Sequence, residues 1–165
     1  MTPSRSRGTP LRVMGILNAT PDSFWAGSRF ASTERAVAAG RQMFDCGAWA
    51  VDVGGESTRP GAVPVSVGKE LDRVVPIVAE LAKSGIVAID TRNREVAEEA
   101  VRAGAQIIND VSGKLYDTAG RLGVGYVSMH SHTVPVLAGT YPAYDDVCKE
   151  IVSIVNEVGG AAASG

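Results

Sequence analysis

The chain has little cysteine, and the two cysteines that it contains are far apart. Cys46 and Cys148 show neither the spacing of a metal site nor the pattern of a disulfide framework. Both lie in segments with helical periodicity, and a free cysteine is commonly a small packing residue. The sequence therefore excludes a disulfide-rich secreted scaffold, and we expect two reduced thiols packed inside the protein.

An excess of positive charge is also absent. Sixteen Lys and Arg residues stand against eighteen Asp and Glu residues, and the formal net charge is −2. A nucleic-acid-binding surface needs a basic patch, so we expect no nucleic-acid partner. An anionic substrate would need individual cations placed in the site, and Arg59 is such a candidate.

Long hydrophobic runs are missing as well. No apolar stretch reaches the roughly 20 residues that a membrane span requires. Residues 2–8 are polar and do not resemble a hydrophobic leader segment. We therefore expect no membrane association and a cytoplasmic location.

The sequence does contain a regular alternation of apolar strands and amphipathic helices. With 165 residues and 45% hydrophobic residues, it has the length and the core content of one globular domain, covering residues 1–165. Strands are predicted at residues 11–17, 49–53, 86–89, 106–111 and 124–129, and helices at residues 32–45, 69–83, 94–102, 114–122 and 146–158. Pro76 predicts a kink or a late start in the second helix. Residues 1–9 and 159–165 are predicted to be flexible tails.

This alternation predicts an α/β fold with a parallel sheet, either doubly wound or an (α/β) barrel. Polar clusters follow three of the strands, in the segments 18–24, 52–61 and 90–91. In a barrel the loops after all strands converge on one face, whereas a doubly wound sheet collects ligands at a single switch point. The repeated polar strand endings therefore favour the barrel and predict one site at that face.

Five motifs in this order resemble those of the dihydropteroate synthase family. They are Asn-Ala-Thr-Pro-Asp-Ser-Phe at 18–24, the segment 52–61 with its Ser-Thr-Arg-Pro-Gly core, Ile-Asp-Thr at 89–91, Ile-Asn-Asp-Val-Ser-Gly at 108–113 and Met-His at 129–130. The resemblance implies a TIM barrel and a transferase of folate biosynthesis that is targeted by sulfonamides. It would condense a 6-hydroxymethyl-dihydropterin diphosphate with p-aminobenzoate and release pyrophosphate with the help of Mg²⁺.

The resemblance also implies roles for particular residues, although it assigns no catalytic residue. Asp90 and Asn109 would contact the pterin ring, and Asn18 would contact Mg²⁺ or the diphosphate, since an amide oxygen is a suitable hard ligand. The remaining substrate-binding residues fall into three groups: Thr58 and Arg59 for the diphosphate; Ser57, Pro60 and Phe24 for the p-aminobenzoate pocket; Asp22 on the first loop and Met129 after the fifth strand.

Several of these residues also have a purely structural interpretation. Residues 20–23 have the composition of a turn, and Asp90 with Thr91 could cap the following helix. Asn109 could be a buried amide satisfied by the backbone, and Glu56 could form a local ion pair with Arg59. A metal pair formed by His130 and His132 is disfavoured because no third ligand is evident.

The length departs from the family pattern, because a TIM barrel typically has about 250 residues. Five strand–helix units are present and the last three are missing, together with the Asp-Pro-Gly, Ser-Arg-Lys and Arg-x-His motifs that they would carry. We therefore expect an incomplete barrel, an N-terminal portion or truncated member with little turnover alone. Its open sheet edges make self-association an expected property.

Two functions of other kinds remain as alternatives. The chain could be a non-catalytic pterin-binding or interaction module that retains the first half of the pocket. A pterin-dependent methyltransferase domain has a similar barrel, but the segments 20–24 and 57–60 fit the synthase loops better.

Overall fold

The computed structural model describes residues 11–20, 29–56, 64–129 and 145–163. Within these residues five β-strands alternate with five α-helices along the chain. The elements are β1 (Met14–Asn18), α1 (Arg29–Asp45), β2 (Ala50–Gly54), α2 (Val67–Leu81), β3 (Ile86–Asp90), α3 (Arg94–Arg102), β4 (Ile107–Asp110), α4 (Tyr116–Leu122), β5 (Gly125–Ser128) and α5 (Val147–Ala163). No helix in the described part of the chain has both the length and the apolar character needed to cross a bilayer.

The five strands form one parallel sheet in the order β1-β2-β3-β4-β5. A doubly wound sheet would reverse its strand order at a switch point, and this sheet does not. Because crossovers between parallel strands are right-handed, consecutive crossovers in one direction place the helices on the same face. This is the winding of a (β/α) barrel, left open between β1 and β5, and the predicted fold class is confirmed.

The main hydrophobic core lies between the sheet and the helices. Alternate strand residues such as Leu17, Val53 and Ile89 are almost fully buried, and they belong to the same cluster as Val74 and Leu81 of α2. Since side chains alternate along a strand, the residues between them face the opposite, concave side of the sheet. The helix-covered side therefore carries the packing.

The concave side has a much smaller apolar cluster. Ala50, Ala88 and Ile107 are buried there, with Met14 and Ile86 packed against them. Farther along the edge strands, Ile16 is 67% exposed and Val127 is 37% exposed. The concave side is thus only partly covered, as expected for an open barrel sheet.

The helix predictions were correct in number and differ mainly at the helix ends. Residues 94–102 are helical exactly as the pattern indicates, and α4 is the short helix that was expected. The late start suggested by Pro76 was wrong, because α2 begins at Val67 and continues through the exposed Pro76 to Leu81. The last helix also continues to Ala163, so residues 159–163 do not form the expected tail. The extension passes through Gly159 and Gly160, two poor helix formers, before it reaches the alanines.

The two cysteines are free, as predicted, but they are not packing residues. Both Cys46 and Cys148 are exposed. Cys46 follows the end of α1 at a turn where Gly47 has a φ of +93°, and Cys148 lies in the first turn of α5. The expectation of buried thiols was therefore wrong, because both positions lie at helix ends away from the core.

Candidate functional site

Three of the residues predicted for the site lie in one row across the carboxyl ends of the strands. The strand register aligns Asn18 with Gly54, Gly54 with Asp90, Asp90 with Asn109, and Asn109 with Val127. Side chains at aligned positions of a parallel sheet point to the same face, here the concave one. Asn18, Asp90 and Asn109 are therefore brought together, although they are separated by many residues in the sequence.

Asn109, one residue of this row, forms a buried carboxylate–amide pair with Asp52. Asn109 Nδ2 donates a hydrogen bond of 2.7 Å to Asp52 Oδ2, and the two residues are 8% and 3% exposed. The other oxygens of the pair, Asp52 Oδ1 and Asn109 Oδ1, are buried and have no hydrogen-bond partner among the described residues. Buried polar atoms are usually satisfied, so two adjacent acceptors without a donor are typical of a ligand site.

This pair decides between two interpretations of Asn109. The amide side chain donates to a carboxylate, and its oxygen is left without a backbone partner. The structural interpretation, a buried amide satisfied by the backbone, was therefore wrong. Burial raises the pKa of Asp52, while the hydrogen bond from Asn109 partly offsets that rise.

Asp90 lies beside this pair at the end of β3 and is half-buried. Burial raises its pKa to about 7, and the negative charges of Asp52, Glu70, Asp110 and Glu56 contribute further. The neighbouring strand makes room for this side chain, because a Cβ at Gly54 would lie 3.3 Å from Asp90 Oδ2. A carboxyl group that titrates near neutral pH in a half-open site is characteristic of functional positions.

The alternative that Asp90 and Thr91 cap the following helix was wrong. The N-cap residue of α3 is Asn93, and its side chain makes no capping hydrogen bond. Thr91 Oγ1 instead donates to Glu70 Oε1 at 2.6 Å and accepts a hydrogen bond of 3.1 Å from the Asn93 backbone N–H. Asp90 is thus free of a capping role.

Asn18 and Met129 complete the part of the predicted site that the structure describes. Asn18 is exposed at the end of β1, and Met129 is half-buried directly after β5. Across the described ranges, no group of three or more His, Cys, Asp or Glu side chains is arranged to hold a metal ion.

The other predicted residues lie outside the described residues. These are Asp22, Phe24, Ser57, Thr58, Arg59, Pro60 and the two histidines, His130 and His132. Glu56, for which a local ion pair with Arg59 was considered, pairs with Arg92 through contacts of 2.8 and 3.0 Å. The proposed roles of the residues outside the described ranges stay predictions from the sequence.

Two acidic residues of the site were missed by the sequence reasoning. Asp52 interrupts an otherwise apolar strand two residues before Gly54, which places it on the same face as the strand-end row. Glu70 occupies the buried stripe of α2 together with Val74, Ile77 and Leu81. In each case the available signal was a charged residue at a position where the periodicity predicts an apolar one.

The loop after β4 is organised by a third buried carboxylate. Asp110 accepts hydrogen bonds from the backbone N–H groups of Ser112, Lys114 and Leu115 and from the hydroxyls of Ser112 and Tyr126, at distances between 2.6 and 3.0 Å. Burial, together with the charge of Asp110, raises the pKa of Tyr126. This set of contacts fixes the chain directly after Asn109.

The fold and the site together define a class: a (β/α)-barrel sheet whose strand ends carry buried acidic and amide groups for a polar ligand. Residues 14–164 match the family described as pterin binding enzyme, and the chain therefore belongs to this family.

Relatives at 44–45% identity are dihydropteroate synthases. The chain is 45% identical over 152 residues to that of Mycobacterium leprae, covering 86% of this chain and 52% of the relative. It is 44% identical over 146 residues to that of Escherichia coli, covering 84% and 51%. The chain thus spans about half the length of these relatives, and the predicted resemblance to dihydropteroate synthase is confirmed.

Solved structures of the same enzyme also superpose on the fold. Xanthomonas albilineans dihydropteroate synthase with 4-aminobenzoic acid gives a TM-score of 0.77 at 40% identity, over 92% of this chain and 57% of that one. The Yersinia pestis enzyme in a sulfonamide drug complex gives 0.79 at 37% identity, over 96% and 62%. The open sheet therefore corresponds to part of the barrel in these enzymes.

Proposed function

We propose that this protein acts in folate biosynthesis as a dihydropteroate synthase-type transferase. It would condense 6-hydroxymethyl-dihydropterin diphosphate with p-aminobenzoate to form dihydropteroate and pyrophosphate, with little turnover by these 165 residues alone. The observation that carries the proposal is the buried pair of oxygens on Asp52 and Asn109 that have no hydrogen-bond partner among the described residues. This pair lies beside Asp90.

This arrangement supports recognition of a pterin ring by its hydrogen-bond donors. The edge of a pterin presents N–H groups from adjacent amide and amine functions. Asp90, Asp52 and Asn109 offer acceptor oxygens, and two of those oxygens have no donor among the described residues. A buried acceptor without a donor costs about 1–3 kcal/mol, so a ligand that supplies the donors is favoured.

The same arrangement supports the charge separation that the reaction needs. The amine nitrogen of p-aminobenzoate forms a bond to the pterin methylene carbon, while the bond from that carbon to the diphosphate oxygen breaks. The diphosphate leaves with the electron pair, and the attacking nitrogen releases a proton. Positive charge develops on the pterin methylene, and ionised Asp90 would stabilise it from the pterin side.

The opposite end of the site must hold negative charge. By the family resemblance, Thr58 and Arg59 would bind the diphosphate, since an arginine can donate two hydrogen bonds to an anion at once. Asn18 would hold Mg²⁺ through its amide oxygen, a hard ligand of the kind that this ion prefers. Bound Mg²⁺ would neutralise charge on the leaving diphosphate.

The p-aminobenzoate pocket is proposed from the resemblance alone. Phe24, Ser57 and Pro60 would shape it, with Asp22 and Met129 as further substrate contacts. Relatives have been crystallised with 4-aminobenzoic acid and with a sulfonamide drug, which supports sulfonamides as ligands of this pocket. We further propose a cytoplasmic location, with no nucleic-acid or membrane partner.

Binding and product formation should be measured separately on the purified chain. We expect calorimetry to detect binding of 6-hydroxymethyl-dihydropterin, and we expect dihydropteroate formation to be at least about 100-fold slower than in a complete relative, since the barrel is open. Asn109→Ala should abolish the binding, whereas the exposed Asn156→Ala on α5 should not change it.

Each outcome has a clear meaning. Turnover equal to that of a complete relative would contradict the expected low activity, and absence of any pterin binding would contradict the proposed function. Binding without any product would favour the alternative of a non-catalytic pterin-binding module.

A further inference from the structure

Thr91 connects the end of β3 with β4 on one side and with α2 on another. It directly follows Asp90 and is only 4% exposed. Its backbone N–H donates a hydrogen bond of 3.1 Å to the Asn109 carbonyl oxygen. Its Oγ1 donates one of 2.6 Å to Glu70 Oε1. One residue therefore links both strands of the pterin end to a helix behind the sheet.

The acceptor on α2 is itself closely surrounded. Glu70 is fully buried, and its second oxygen, Oε2, accepts a hydrogen bond of 2.6 Å from Asn93 Nδ2. A Cβ at Gly55 would lie 3.0 Å from Glu70 Cγ, so the end of β2 packs directly against this side chain. The packing limits the movement of Glu70, and Thr91 is thus bonded to an acceptor in a fixed place.

The hydroxyl of Thr91 also closes the turn that follows Asp90. Besides donating to Glu70, it accepts a hydrogen bond of 3.1 Å from the Asn93 backbone N–H, and a hydroxyl can do both at once. Because side chains alternate along a strand, Thr91 lies on the helix side of the sheet while Asp90 faces the concave side. Thr91 is therefore behind the ligand site and does not line it.

We propose that Thr91 is a positioning residue that holds Asp90 and Asn109 side by side at the pterin end of the site. The proposal rests on the proposed function, in which these two side chains contact the pterin ring. The bond to Glu70 keeps residue 91 in place, so its backbone N–H stays on the Asn109 carbonyl oxygen. Contact groups must be held to within about 0.5 Å for recognition, and hydrogen bonds behind the site supply this precision.

The first test asks whether the Thr91 hydroxyl holds β3 and β4 together in the ligand-free chain. The protection factor of the residue 91 amide reports this, because it corrects hydrogen exchange for the intrinsic rate of each residue. Thr91→Val keeps the branched shape and removes the hydroxyl. We expect the protection factor to fall at least about tenfold, because Glu70 and the Asn93 N–H both lose their partner. Thr91→Ser keeps the hydroxyl, and its fall should be less than about threefold.

Thr118→Val is the matched control for this substitution. Thr118 is also fully buried, and its Oγ1 donates a hydrogen bond of 3.3 Å to Asp117 Oδ1 on α4, away from the site. Since distant sites act independently, it should leave the protection factor at residue 91 within about twofold.

The second test asks whether the same hydroxyl acts on the pterin end of the site. In calorimetry, Thr91→Val should weaken binding of 6-hydroxymethyl-dihydropterin by at least about fivefold, whereas Thr91→Ser and Thr118→Val should weaken it by less than about twofold. Rescue by serine, together with the silent control, is a readout that the loss of any buried hydroxyl would not produce.

The outcomes separate this proposal from the proposed function. An unchanged protection factor in folded Thr91→Val, or equal weakening of pterin binding by Thr91→Ser and Thr91→Val, overturns the positioning role. If the unmodified chain binds no pterin, the proposed function fails and the role toward the pterin fails with it, while the protection factors still decide whether Thr91 holds the two strands together.

A second variant provides the test should Thr91→Val not fold. Glu70→Gln keeps the side-chain size, but a neutral amide is a weaker acceptor than a carboxylate and has one acceptor oxygen for two donors. The protection factor at Thr91 should then fall about threefold. An unchanged value in this variant would also overturn the proposal.

Discussion

The acidic side chains of the described part of the site lie close to other carboxylates. Asp90 lies at the end of β3, Asp52 lies on the adjacent strand β2 two residues before its end, and both have pKa values raised chiefly by burial. Asp52 already accepts a hydrogen bond from Asn109, while Asp90 is also raised by four nearby carboxylates. Asp90, with a pKa of about 7, therefore changes its charge near neutral pH.

Binding of the pterin should depend on pH through Asp90. With a pKa of about 7, Asp90 is mostly protonated at pH 6 and mostly ionised at pH 8. If the ionised form binds the ring, affinity for 6-hydroxymethyl-dihydropterin should rise about tenfold between these pH values. Asp90→Asn should remove this dependence and bind weakly throughout, as measured by calorimetry at each pH.

The stability of the ligand-free chain provides the control, with the sign worked out. The folded state holds the Asp90 proton up to a pH of about 7, whereas the unfolded chain loses it near the ordinary aspartate pKa of 3.8. The folded state therefore binds more protons between these values, and the free energy of unfolding should fall as the pH rises through this range. Asp90→Asn should flatten that fall. Affinity that stays constant from pH 6 to pH 8 would contradict the role of ionised Asp90.

Among the helices, α2 is the element that most directly supports the site. Its buried stripe includes Val74, Ile77 and Leu81, which pack in the main core. The same stripe contains Glu70, whose two oxygens accept from Thr91 and Asn93. One face of this helix thus contributes both to the core and to the loop after β3.

Removing Glu70 should destabilise the chain much more than removing an exposed glutamate from the same helix. Glu70→Ala leaves two partly or fully buried donors without acceptors and creates a cavity, so we expect a loss of about 2–4 kcal/mol in the free energy of unfolding. Glu80→Ala should have a much smaller effect, because its contacts with Lys83 and Arg41 are on the surface. Urea denaturation measures both values, and equal losses would show that the Glu70 contacts add nothing.

The sequence predicted the strands and helices better than it predicted the contacts between them. Apolar periodicity predicted each strand and helix in the right order, because burial on one face repeats with the period of the element. Asn18 and Asp90 lie in the polar clusters that follow strands, and the resemblance to dihydropteroate synthase added Asn109. The pairing of Asp52 with Asn109 joins positions 57 residues apart, and it depends on strand register. Register could not be derived from local pattern, which is why Asp52 was missed.

At the scale of the whole molecule, the sheet is open and its concave side carries exposed apolar groups. Ile16 on β1 is 67% exposed and Val127 on β5 is 37% exposed, and both strands are edges of the described sheet. Edge strands present unpaired N–H and C=O groups that can pair with another chain. The family was recognisable from five ordered motifs, whereas this exposure follows from the open edges of the described sheet.

The isolated chain should therefore associate with itself in a concentration-dependent way. A charge on the edge strand should oppose this association, so Ile16→Lys should increase the monomer fraction in sedimentation velocity at least about twofold. Val152→Lys changes a comparably exposed residue, at 57%, on α5 and is the matched control. A monomeric chain at all concentrations, or an equal effect of the two variants, would contradict association through the sheet edge.

Neighbouring residues of a strand lie on opposite sides of the sheet and have different roles in this molecule. Ile89 and Ile108 are fully buried against the helices, while the next residues, Asp90 and Asn109, face the concave side. A mutagenesis library that varied only every second strand position on the concave side would therefore sample new ligand preferences while leaving the packed layer intact. Alternate strand positions therefore separate the side chains that face a ligand from those that pack the core.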